Sequence, residues 1–85
     1  MKYEAFVDSG HAWVKVSINE LRALGIETQI SSCSYIRGDN AYLEEDRDAW
    51  LFIEAKKAKG ETVELRIRRS ENSRVRSYAS YRGVI

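Results

Sequence analysis

The sequence predicts one α+β domain, an antiparallel sheet of about six strands with two helices packed on one face. Three observations predict it. Apolar and polar residues alternate near both ends of the chain, the period of half-buried strands. Two stretches between them carry helix start and stop signals. The 85 residues contain no proline and no low-complexity linker, so nothing marks a boundary between domains. A chain of this length buries only about 60–65% of the surface its unfolded form exposes, so the core is thin. The expected order of elements is ββα, ββα, ββ.

Tyr3 to Asp8 places Tyr3, Ala5 and Val7 on one side and Glu4, Phe6 and Asp8 on the other; His11 to Val16 alternates likewise. Ser9-Gly10 between them suits a two-residue hairpin turn. That register sets Val7 against Ala12 and Ala5 against Val14 on an apolar side. On the other side it sets Phe6 against Trp13 and Glu4 against Lys15, an aromatic pair beside an ion pair. Ser17-Ile18-Asn19-Glu20 reads as a capping box. The helix it opens runs from about Ile18 to Leu24 and stops at Gly25.

Residues 29–36 are serine-rich but compatible with a strand. Arg37-Gly38-Asp39-Asn40 is a turn, and Ala41 to Glu44 a return strand. The Arg-Gly-Asp tripeptide matches an adhesion motif, but here it is turn chemistry. A second helix is expected from Asp46 as N-cap to Gly60. Asp48 lies in its first turn and Lys56, Lys57 and Lys59 in its last, which matches the helix dipole. Leu51, Phe52, Ala55 and Ala58 make its core-facing stripe, widened by Trp50 and Ile53. The end of the chain alternates again, Val63, Leu65 and Ile67 against Glu64, Arg66 and Arg68, then Val75 to Arg82. This reads as a closing hairpin with an odd-numbered loop near Ser70 to Arg74. A weak echo at an offset of 29 relates Ala12-Trp13-Val14 to Ala41-Tyr42-Leu43.

The net charge of +1 hides an asymmetry. Residues 1–54 carry five basic groups against ten acidic ones, and residues 55–85 nine against three. Such a division bears on partners rather than on fold. The single cysteine, Cys33, excludes an internal disulfide, which points to a reducing compartment for so small a domain. No signal-peptide pattern occurs and no apolar run approaches the roughly 20 residues of a membrane span. A soluble cytoplasmic protein is expected, with no membrane partner.

The closing hairpin carries the most informative candidate surface. Arg66, Arg68, Arg74, Arg76 and Arg82 would share one strand face around Tyr78. Guanidinium forks match phosphates and carboxylates and stack on aromatic rings, so this face suits nucleic acid or an acidic protein surface. A solvated edge kept soluble by its charges is the plainer alternative. Two further candidates are an acidic interface at Glu44, Glu45 and Asp48, and the aromatic pair Phe6 and Trp13. Exposed, that pair would mark a partner or homodimer surface; covered, it belongs to the core.

His11 and Cys33 invite a nucleophile–base reading, but nothing in the sequence joins them and no third orienting group is apparent. They are also too few for a zinc site. No phosphate-binding loop, dinucleotide fingerprint or metalloprotease motif occurs. No cofactor, metal or catalytic residue is expected, and the protein is read as a binder and not an enzyme.

Three stretches together, Gly10-His11-Ala12-Trp13-Val14-Lys15-Val16, Ser32-Cys33-Ser34-Tyr35 and Ala41 to Asp46 with Asp48-Ala49, resemble a family of small bacteriophage and prophage proteins. That family opens on Gly-His-x-Trp-Leu-x-Val and centres on Tyr-Leu-Glu-Glu-Asp-x-Asp-Ala. The resemblance covers about residues 5–60, and Cys33 stands where an aromatic or polar residue is expected. It implies an inhibitor of a host defence system, such as an anti-CRISPR protein, that occupies a host protein or protein–nucleic-acid complex. Direct nucleic-acid binding and an oligomeric interaction module are the alternatives. The arginine-rich end lies outside the resemblance.

Overall fold

The chain, seen in a computed structural model that describes residues 1–71 and 73–81, begins with the expected hairpin. Strands β1 (Lys2–Val7) and β2 (Ala12–Ser17) pair antiparallel with Phe6 against Trp13 and Val7 against Ala12. Asp8 organises the turn, its Oδ1 accepting from the amides of Gly10 and His11 at 3.0 Å each. Helix α1 (Ile18–Ala23) starts at Ser17, whose hydroxyl accepts from the Glu20 amide, and ends at Gly25 with φ of 73°. Only half of the capping box forms. The Glu20 carboxylate turns instead to Tyr3 and Lys56, at 2.5 and 2.8 Å.

Strands β3 (Tyr35–Arg37) and β4 (Asn40–Glu44) follow around Gly38, and helix α2 (Asp48–Ala58) stops before Gly60, φ 78°. Asp46 does not cap α2; Arg47 holds that position without a side-chain bond. The strand expected over 29–36 shrinks to a short β3, and buried Asp48 explains why. Its carboxylate accepts from the Ser31 amide and hydroxyl and, at 2.5 Å, from the Ser34 hydroxyl. Those bonds fold residues 31–34 over the start of α2 instead of extending them along β4.

Helix α2 also shows its core a different stripe. Phe52 and Lys56 are buried, while Ala58 is exposed and Trp50 is 59% exposed. Lys56 reaches Glu20 and, at 2.5 Å, Glu61. These hydrogen bonds raise its pKa above the ordinary value, so it stays charged within a satisfied cluster.

Strand β5 (Glu64–Arg69), a 3-10 helix (Arg74–Ser77) and β6 (Ala79–Ser80) complete the order. The sheet is mixed, β5-β1-β2-β4-β3-β6, and this corrects the all-antiparallel expectation. β5 runs parallel to β1, Lys2 opposite Glu64 through Val7 opposite Arg69. The reason is where α2 ends. The Met1 amino group donates to Thr62 O and the Glu64 amide to Met1 O, so the chain leaves α2 beside the start of β1. With so few residues after Gly60 it must set off in the same direction.

The expected closing hairpin does not form among the described residues: β5 and β6 lie at opposite edges, and residues 73–78 lie across the sheet between them. One face of the sheet packs on both helices through Ala5, Val14, Val16, Leu43, Leu21 and Phe52. Tyr81 joins that core, fully buried. The other face is covered by the crossing segment, with Val75 on Trp13 and Tyr42. The arrangement is a small α+β fold with, among the described residues, a helical layer on one side and a strap on the other. No helix among the described residues is long and apolar enough to cross a membrane.

Candidate functional site

The strap decides what the non-helical face can offer. Asp8, 9% exposed, lies at the end of β1. Arg76 of the 3-10 helix donates to it twice, Nε to Oδ2 at 2.5 Å and Nη2 to Oδ1 at 2.9 Å. This bidentate pair is the strong form of the carboxylate–guanidinium contact. It holds the Asp8 carboxyl well below the usual carboxylate range. The guanidinium also stacks over Trp13, 5.4 Å from the ring centroid. A Cβ at Gly10 would lie 3.1 Å from Arg76 Nη2, so a side chain there would crowd the pair. Ser73 caps the 3-10 helix, its hydroxyl accepting from Val75 N, which fixes the strap locally as well.

Beside this anchor a depression of about 470 Å³ opens at the ends of β2, β3 and β4. Trp13 and Tyr35 form its aromatic side, 6.0 Å apart in an edge-to-face pair. Glu44 and Asp46 supply carboxylates, and His11, Cys33 and Arg76 complete the lining. Arg76 is neutralised by Asp8, so among the described residues Glu44 and Asp46 leave the lining net negative. Glu45, exposed on the same turn, faces His11 Nδ1 at 3.9 Å. Buried Asp48 pins Ser34, and the Ser34 hydroxyl in turn accepts from the Glu44 amide at 2.9 Å. The acidic turn is therefore held from below by a carboxylate that never reaches the surface.

Several expected site residues move. Arg66, Arg68, Arg74 and Arg76 do not share a strand face. Arg66 and Arg68 lie on edge strand β5, and Arg68 pairs with Glu4 of the neighbouring strand. Arg74 and Arg76 belong to the strap, Arg74 exposed and Arg76 bound to Asp8. Tyr78 packs on Tyr42, ring centroids 4.9 Å apart, beneath Arg37. Arg82 lies outside the described residues. Periodicity alone could not separate these arginines, because it does not say which strand neighbours which.

The secondary candidates divide too. Trp13 is 2% exposed, and Phe6 is half-buried against Tyr42, so the aromatic pair belongs to the second core. Asp48 is fully buried and cannot meet a partner. Glu44 and Glu45 keep their place at the surface. His11 and Cys33 line one depression, a proximity with no local sign along the chain. Among the described residues no group of three or more His, Cys, Asp or Glu side chains is arranged to hold a metal. Sequence reasoning missed Asp8 as the anchor of the strap. Its place before Ser9-Gly10 signals an Asx turn, but no local signal links it to Arg76. Compared with protein families, curated proteins and solved structures, the chain matches none.

Proposed function

We propose that this protein is a binding domain that acts by occupancy, its acidic turn and the adjoining depression seating a basic side chain of a host-defence protein. The observation that carries the reading is the charge of that depression. Among the described residues its one guanidinium is matched by Asp8, and Glu44 and Asp46 are left over beside a half-buried tyrosine ring. Carboxylates in this setting accept charge-assisted hydrogen bonds from a guanidinium or ammonium, and Tyr35 adds an apolar wall. Nucleases offer such basic surfaces in the channels that hold their nucleic acids. The host-defence part of the reading draws on the phage-family resemblance of residues 5–60.

The nucleic-acid alternative has less support. Arg68 and Arg76 are engaged in ion pairs, and of the other described arginines expected on one face Arg66 lies on an edge strand and Arg74 on the strap. The test is affinity capture from a bacterial host lysate with the wild-type chain and with Glu44→Lys plus Asp46→Lys. A host protein retained by the wild type and lost by the double variant is expected. A captured partner that the reversal leaves bound equally well would end the proposal for this site.

A further inference from the structure

We propose that two copies of this chain join edge to edge through β5, antiparallel about a two-fold axis at Leu65, so that one sheet runs through both. Strands β1 and β2 separate β5 from β4 and its acidic turn, whose Glu45 reaches only the far end of the groove described below, and the inference does not depend on the function proposed above.

Among the described residues β5 has β1 as its only neighbour, so its other edge is open. All six of its residues are exposed, including Leu65 at 42% and Ile67 at 49%. On the helix side these two line an apolar groove of about 220 Å³ with Val7, Ala12, Trp50 and Ile53. Trp50 is itself 59% exposed. An unbroken edge of this length, free of proline and with an apolar side, is a template for another strand.

The backbone is already directed for pairing. The Glu64 amide donates to Met1 O and the Ser70 amide to Val7 O, both toward β1. By the two-residue period, the N–H and C=O groups of Leu65 and Ile67 point away from β1, into the open edge. Strands joined by a two-fold axis exchange pairs of hydrogen bonds at such outward residues.

Charge selects the occupant and the register. Facing residues of antiparallel strands share a sheet side, so the axis must pass through a residue position. On Ile67 it would face Arg66 with Arg68, and on Arg66 it would face Arg66 with its own copy. On Leu65 every contact is complementary. Val63 faces Ile67 twice, Glu64 faces Arg66 twice, and Leu65 meets Leu65. The ion pair between Arg68 and Glu4 is undisturbed. The strand is thus its own complement, which a second copy satisfies on both sides of the sheet at once.

Sedimentation equilibrium over a concentration series tests this. The wild type is expected to approach twice the 9.8 kDa chain mass. Glu64→Arg sets like charges opposite Arg66 and should weaken dimerisation about tenfold, given two altered pairs. Adding Arg66→Glu to the same chain restores the opposite charges and should restore the dimer. That rescue requires the Leu65-centred register, because in the Arg66-centred one residue 64 faces Arg68. Circular dichroism of each variant checks that the exposed changes leave the fold intact. A wild type that stays monomeric at the highest concentration overturns the proposal, including the case in which a host protein takes the edge instead. So does a dimer that the charge swap fails to rescue.

Discussion

Two arginine-bearing segments of this chain, Glu64–Arg69 and Arg74–Ser77, have similar composition and opposite fates. The first is a strand exposed along its whole length, with Arg66 and Arg69 turned to solvent. The second is a 3-10 helix laid across the sheet, with Val75 1% exposed and Arg76 bound to Asp8 over Trp13. Asp8 and Trp13 make the difference. A poorly hydrated carboxylate beside an indole face offers a guanidinium two kinds of contact at once. The outer edge of β5 offers its residues only water, or another strand. Arginine density therefore says little about binding until the partner of each guanidinium is known.

The contrast between the two segments should break most sharply at Trp13. Trp13→Ala removes the ring beneath the strap and should destabilise the fold by about 3–5 kcal/mol in chemical denaturation. A loss near zero would mean that the strap is held by other contacts. Asp8→Asn separates the ionic contribution. The folded pKa of Asp8 lies below its ordinary 3.8, so the ion pair stabilises fully above that pH and is lost as the pH falls through the folded value. The stability gap between wild type and Asp8→Asn should be widest near neutrality and narrow below pH 3.8. A gap independent of pH would deny the pair its role. Ile67→Ala on β5 should change monomer stability by no more than about 0.5 kcal/mol, measured at concentrations low enough to exclude association. A large loss would show that β5 is packed rather than waiting for a partner.

Much of the first half was legible from local rules. The hairpin register follows from two matched alternations, and the first helix from Ser17 and Gly25. The second helix could be located but not oriented. Asp48 in a first turn reads equally well as a solvated charge, and only Ser31 and Ser34, 14 to 17 residues away, draw it inward. Lys56 likewise looks like a surface charge until Glu20 and Glu61 are seen to reach it. Of the candidate site, Glu44 and Glu45 are legible as part of an acidic interface. Its neighbours Tyr35, Cys33 and His11 come from separate stretches of the chain and carry no common signal.

The small α+β class, the first hairpin, the helix stops at Gly25 and Gly60 and the uneven charge along the chain are all readable from residue order alone. These depend on residues within a few positions of one another, where sterics, capping and periodicity act. Packing settles that β5 runs parallel to β1, that residues 73–78 cross the sheet, and which of the described arginines are paired. Those outcomes depend on contacts such as Asp8 with Arg76, 68 residues apart. Strand periodicity states which side chains share a face, but it carries no information about which backbone lies alongside.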